Sequence, residues 1–258
     1  MFLLLALGGI MAGMLGGLLG IGGGILIMPI LRFIIGLDPA CAAGTCIVAV
    51  FFTTFGGSLK HFRLGHIDFR SIVPVIISGL ISTVAFSTLF IYLTQKDAWL
   101  DMATGVVFSL VALRMLWEGV SDYLNKSSEP NLGRVIQGSM LAQITIGGVA
   151  GVLPGLLGIG AGAVLVPAFA FALNTPIKIA IGSSLACFSL NSLASSAFKL
   201  SQGFVQIHVL IPLCIGTLIG SQFGATLNAR FPSPRLKLLF GMVFVYVACK
   251  YLAVFSRL

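Results

Sequence analysis

Residues 16–29 read GGLLGIGGGILIMP and residues 154–167 read PGLLGIGAGAVLVP; at this offset of 138, 8 of 14 positions agree, both closing prolines included. Glycine and proline are the poorest helix formers, yet both stretches lie in apolar runs, and the first carries no charge from Phe2 to Leu31. The chemistry open to such a stretch is that of bare backbone. Where a helix breaks, N–H groups lose their partners within the helix, and a helix N-terminus adds about half a positive charge. Glycines let a small oxyanion approach those donors closely. Gly20, Gly22, Gly23 and Gly24 of the first copy, with Gly158, Gly160 and Gly162 of the second, are therefore candidate anion-binding positions. Helix packing competes for the same residues, because Gly16, Gly20 and Gly24 recur at four-residue spacing. No strand precedes the glycines, which argues against a dinucleotide fingerprint.

Hydroxyl and amide side chains recur at the same offset. AGTCIV (43–48) faces IGSSLA (181–186), so Thr45 stands opposite Ser183 and Cys46 opposite Ser184. Thr53 faces Asn191 about two helical turns further on. All six side chains are candidate donors to an anion's oxygens; the competing role is to bond back to their own helix or to tie neighbouring helices together. Lys60, His61 and Lys199 fall at segment ends, where solvent and lipid headgroups are expected ahead of anion capture. His66 and His208 read as loop residues. The seven acidic residues all fall in loops or at segment ends. Intramembrane carboxylates mark proton relays and cation pathways, so a cation channel or carboxylate-relay pump is disfavoured. No HExxH, GxSxG or His/Asp cluster occurs, so no catalytic residue, metal or cofactor is expected. Cys41, Cys46, Cys187, Cys214 and Cys249 lack CxxC spacing and read as small buried hydrophobes.

The elements that must hold these residues follow from composition. The 258 residues are 58% hydrophobic and 9% charged, whereas a soluble domain carries about 25% charged residues. Uncharged runs cover Phe2–Leu31, Pro39–Leu59, Ser71–Leu93, Val135–Ile177, Ile179–Phe198 and Val209–Ala229, and about 20 apolar residues span a bilayer as a helix. Met102–Leu113 and Leu238–Cys249 are shorter and become spans if Arg114 and Lys250 snorkel to the interface. The alternation of a β-barrel is absent. The expectation is an all-α polytopic membrane protein of about eight spans. Its net charge of +8 sits in short loops, which reads as orientation bias and not as nucleic-acid binding. The partners expected are the bilayer and a small anionic substrate; the oligomeric state is open. The first basic residue is Arg32, too late for a cleaved signal peptide, so the first helix is expected to be retained.

The repeat runs past the glycines: Ser58 faces Ser196, Gly65 faces Gly203 and Pro74 faces Pro212. Two homologous repeats of about four segments each are expected, residues 1–125 and 133–258, joined by SDYLNKSSEPNLGR (121–134). Each opens with a segment of about 33 residues, too long for one straight crossing and short for two. A helix pair meeting at a glycine-rich break, or a re-entrant hairpin, fits. Broken helices at matching positions of two repeats point to a transporter's binding site, since lipid does not tolerate open backbone. Basic residues exchange sides between the halves. Lys60, Arg63 and Arg70 follow the second segment of half one, against Lys199 alone in half two; the next loops hold Lys96 alone against Arg230, Arg235 and Lys237. That exchange favours inverted repeats over parallel ones.

The doubled GLLGIGGG…P and GLLGIGAG…P, the following GTC and GSS, and the RLGHID loop resemble the sulfite exporter family TauE/SafE over essentially the whole chain. Two positions depart from the family's pattern: Cys46, where serine is commoner, and Ala161, where the second copy loses a glycine. The resemblance implies a multi-pass transporter of about eight spans that moves sulfite, organosulfonates or related anions across the bacterial cytoplasmic membrane. The reading is a secondary transporter working by alternating access, with the two glycine motifs, Thr45 and Ser183 around one shared anion. An anion channel, or a carrier for another small oxyanion or a thiosulfate-like solute, stays open; a membrane-embedded enzyme is the least favoured.

Overall fold

The computed structural model describes residues 2–93, 97–124, 139–173, 175–227, 242 and 245–251. The expected boundary between the halves and half of Leu238–Cys249 lie outside these residues. Every regular element among the described residues is a helix. Helix α1 covers Phe2–Leu19 and, after a break, α2 covers Gly24–Pro29 and widens into a π turn over Ile30–Ile34. Helices α3 (Pro39–Arg63), α4 (Phe69–Leu93) and α5 (Asp97–Leu124) follow. Helix α6 (Met140–Leu156) breaks before α7 (Gly162–Pro167), which also widens into a π turn, Ala168–Ala172. Helices α8 (Ile177–Ser201) and α9 (Ile207–Leu227) complete the order. The elements α6, α7, its π turn, α8 and α9 each start 138 residues after α1, α2, its π turn, α3 and α4.

Local chemistry sets several of these boundaries. Asp38 caps α3 by accepting from Cys41 N at 3.0 Å, and Pro39 occupies the first helical position, where no N–H is needed. Ser139 caps α6 in the same way, accepting from Ala142 N at 3.2 Å. Pro29 and Pro167 close the two short helices, and the chain then adopts i→i+5 bonding, Ile35 N to Ile30 O at 3.0 Å and Leu173 N to Ala168 O at 3.2 Å.

Among the described residues, five helices are long and apolar enough to cross a membrane: α1, α3, residues Phe69–Tyr92 of α4, α8 and α9. The chain forms two compact units, the larger holding α1–α4 and α6–α9, the smaller α5 and the helical residues 245–251. In the smaller unit Phe108 and Tyr251 stack with ring centroids 5.6 Å apart. Its Asp101, expected at a solvated segment end, is only 2% exposed.

In the larger unit α3 and α8 are innermost: 78% and 61% of their apolar windows are buried, against 28% for α4 and 44% for α9. They run antiparallel, because Gly44 packs on the Phe204 backbone and Gly182 on the His66 backbone. Thr54 Oγ1 and Ser192 Oγ meet at 3.3 Å where the two helices cross. Helix α1 lies parallel to α9, with Gly9, Gly13 and Gly17 facing the backbones of Leu213, Thr217 and Ser221 in turn. Helix α6 lies parallel to α4, with Gly147, Gly151 and Gly155 facing Val75, Gly79 and Thr83. Such stripes bring backbones close enough for van der Waals packing where lipid supplies no hydrophobic drive.

Helix α9 runs in the direction of α3, since Gln206 meets Thr45 and Ser221 meets Gly56. Helix α1 therefore shares that direction. Helix α2 turns back along α3, with Gly24 against Val50 and Cys46, and a short link from Ile34 to Pro39. The first broken segment thus enters and leaves at one end of the helix cluster. It is a folded-back hairpin.

Candidate functional site at the crossing of the helix breaks

Gly20, Gly22 and Gly23 have φ of +75°, +80° and +73°, and Gly158 has +66°. A side chain with Cβ is disfavoured in that region. Gly23 shows the use: turned into the left-handed region, its carbonyl receives Leu26 N at 3.0 Å and Ile27 N at 3.2 Å and so starts α2. Gly24, Gly160 and Gly162 serve a different purpose, because here the two breaks lie on each other. A Cβ on Gly162 would strike Gly20 O, one on Gly160 would strike Ile21 O, and one on Gly24 would come within 2.9 Å of Gly160 N. All of these glycines are buried. Ala161, where the second copy loses a glycine, has φ of −75° and needs none.

Three predicted side chains close around this crossing. Ser184 Oγ donates to Gly20 O at 3.3 Å and to Ile181 O at 2.9 Å. Cys46 Sγ reaches Gly24 O at 3.5 Å. Thr53 bonds back to Ala49 O at 3.0 Å, which leaves its methyl against Gly16. Thr45 and Ser183 lie elsewhere. Thr45 Oγ1 accepts from Gln206 N at 3.0 Å, just before α9, and Ser183 Oγ accepts from Asp68 N at 3.3 Å, just before α4. Each satisfies a backbone donor that a helix start leaves free. Because α3 and α8 are antiparallel, the two hydroxyls sit near opposite ends of the pair. The expected single wall containing both is not assembled.

The polar face of α3 and α8 extends to two groups expected in water or headgroups. His61 and Lys199, again 138 residues apart, are both 0% exposed. His61 Nε2 lies 3.4 Å from Gly17 O and its Nδ1 3.2 Å from His66 Nδ1. If Nε2–H donates to that carbonyl, Nδ1 accepts from the Nδ1–H of His66. Partial burial, with a smaller contribution from the Lys178 charge, holds the His66 imidazole below its ordinary range.

Lys199 lies over the Phe90 ring, which meets Phe204 edge-on with centroids 5.4 Å apart. This aromatic cover explains why a last-turn lysine does not snorkel outward. Its Nζ has no hydrogen-bond partner, and neither do the buried Asn191 Oδ1, Ser196 Oγ and Gln202 Oε1 of the same stretch. Asn191, the last predicted site residue, faces Gly79 of α4. Ser195 Oγ donates to Pro154 O at 2.7 Å, Ser87 Oγ stands 3.5 Å from Ser195 Oγ, and Gln202 Nε2 donates to Ser87 O at 3.1 Å. Sequence reasoning passed over Ser87 and Gln202 and put Lys199 in the wrong surroundings. The available signal was the spacing of 191, 195, 199 and 202, which is one helix face.

The larger unit's helices carry N–H, O–H and cationic groups inward, and no Asp or Glu occurs in α1–α4 or α6–α9. Such helices offer no carboxylate to a cation. Comparison with known proteins points to transport. A probable membrane transporter protein, YunE, of Bacillus subtilis is 26% identical over 275 residues, covering 99% of both chains. A probable membrane transporter protein of Xylella fastidiosa is 28% identical over 90% of this chain and 87% of its own. A sulfite exporter TauE/SafE family protein of Arabidopsis thaliana is 33% identical over 45% of this chain and 26% of its own. No solved structure matches. The model of the sulfite exporter TauE/SafE family matches residues 5–251, so the chain belongs to that family of membrane transporters.

Proposed function

We propose that this protein is a secondary carrier, not an enzyme, that moves a small sulfur-containing anion such as sulfite or an organosulfonate across the bacterial cytoplasmic membrane by alternating access. The observation that carries this reading is the buried seat of one glycine break on the other, between α3 and α8. Two broken segments that meet at the centre of a helix cluster are what a binding site shared by two repeats needs. Residues 1–125 and 133–258 are then inverted repeats of about four segments each, about eight spans in all. Support comes from helix starts at a constant offset, from the antiparallel α3 and α8, and from the reciprocal packing of α1 on α9 and α6 on α4. Sulfur enters through the family's name and anionic charge through an interior without carboxylates. In this reading the break glycines with Cys46, Thr53 and Ser184 line one part of the anion's path. Asn191 lines another. Thr45 and Ser183 act at its two ends.

Purified protein reconstituted in liposomes loaded with radiolabelled sulfite tests this. Saturable efflux, accelerated by unlabelled sulfite outside and with the label recovered unchanged, is expected. Flux without saturation or exchange would make the protein a channel. No flux of sulfite, thiosulfate or methanesulfonate above empty vesicles would end the reading.

A further inference from the structure

Four buried side-chain polar atoms without a hydrogen-bond partner among the described residues belong to one stretch of α8 and its end: those of Asn191, Ser196, Lys199 and Gln202. Native interiors satisfy nearly all such groups, and a group that is not satisfied calls for an explanation. Here the groups are clustered, and one is a lysine amino group with no exposure. The Phe90 face attracts a cation but takes up none of its three N–H donors. Burial of an ion without a charged partner is among the least favourable arrangements in a protein. A carboxylate would resolve it, yet no helix of this unit contains one.

A solute resolves it instead. We infer that α4 and α8 enclose an anion pocket in which Lys199 is the charge anchor, with Ser196 and Gln202 beside it on the adjoining turns of α8. The ligand class is a small oxyanion. Lys199 supplies charge-assisted donors, Ser196 an O–H, and the amide of Gln202 a group that turns either way, held in place through its bond to Ser87 O. The chain has not duplicated this pocket, because the matching position in the first half is His61, already bonded to Gly17 and His66. The pocket rests on the carrier reading above and moves the charge-bearing part of the site from the glycines to α8.

The test is calorimetric titration of sodium sulfite into the purified full chain, with a thermal melt of each variant alongside. Lys199→Met keeps the stem packed on Phe90 and removes the charge. It should weaken sulfite binding at least about ten-fold, while the melting temperature stays level or rises, as removal of an unpartnered buried charge predicts. Lys199→Gln is the second variant if the first does not fold, and Thr226→Ala, on the exposed face of α9 and remote from the pocket, should bind within about two-fold of wild type. Folded Lys199→Met and Lys199→Gln proteins that bind sulfite as wild type does would overturn the pocket and leave the carrier reading intact. A wild-type chain that binds none of sulfite, thiosulfate and methanesulfonate overturns the carrier reading, and the pocket with it.

Discussion

At the residue scale, identical positions in the two halves have been given different work. His61 is satisfied on both ring nitrogens, while Lys199 is left without a partner. His66 sits between the buried histidine and the Lys178 charge, and both burial and that charge disfavour its protonated form. The unfolded chain therefore takes this proton first as pH falls through the ordinary value of 6.5, so His66 contributes stability above that pH and loses it below. Lys178→Met should raise the pH at which His66 titrates, read from its ring proton resonances; an unmoved midpoint would leave burial as the whole cause. Residue identity alone announced the glycines and the hydroxyls, but not their partners. Thr45 was legible as a hydroxyl able to hydrogen-bond, but not as the acceptor of the Gln206 N–H, which depends on where α9 begins. Lys199 was misread because a lysine in a last turn normally reaches water, and the ring that covers it lies on another helix.

The glycines divide at the scale of the element. Gly20, Gly22, Gly23 and Gly158, with positive φ, make the breaks, and those on α1 and α6 bring neighbouring backbones together. Gly13 packs on Thr217, so Gly13→Leu should destabilise by about 1–3 kcal/mol through overpacking, seen as a lower melting temperature in detergent. Gly148, also helical, has nothing within 4 Å of an added Cβ. Gly148→Ala should therefore be neutral or stabilise by about 0.4–1 kcal/mol. Equal losses in both variants would mean that the stripe is not what holds α1 to α9. Helix positions were well marked in the sequence by the apolar runs. The π turns after Pro29 and Pro167 were not marked, because i→i+5 bonding has no side-chain signature of its own.

For the whole molecule, the proposed inverted repeats predict opposite fates for equivalent sites. Arg63 and Ser201 are both exposed at the C-terminal ends of α3 and α8. Single cysteines placed there in a cysteine-free background should label from opposite sides of the membrane; labelling from one side would favour parallel repeats. The glycine contacts carry a last implication. Helix α1 finds its groove on α9 and α6 finds its groove on α4, so each broken segment is clasped by a helix from the distant half of the chain. Neither half owns the surface that its own broken segment needs. If the halves hold each other in this way, covalent continuity between them is dispensable where the clasp is strong. A chain cut between residues 125 and 138 should yield two fragments that are each degraded when made alone and that co-purify as a transport-competent pair when made together.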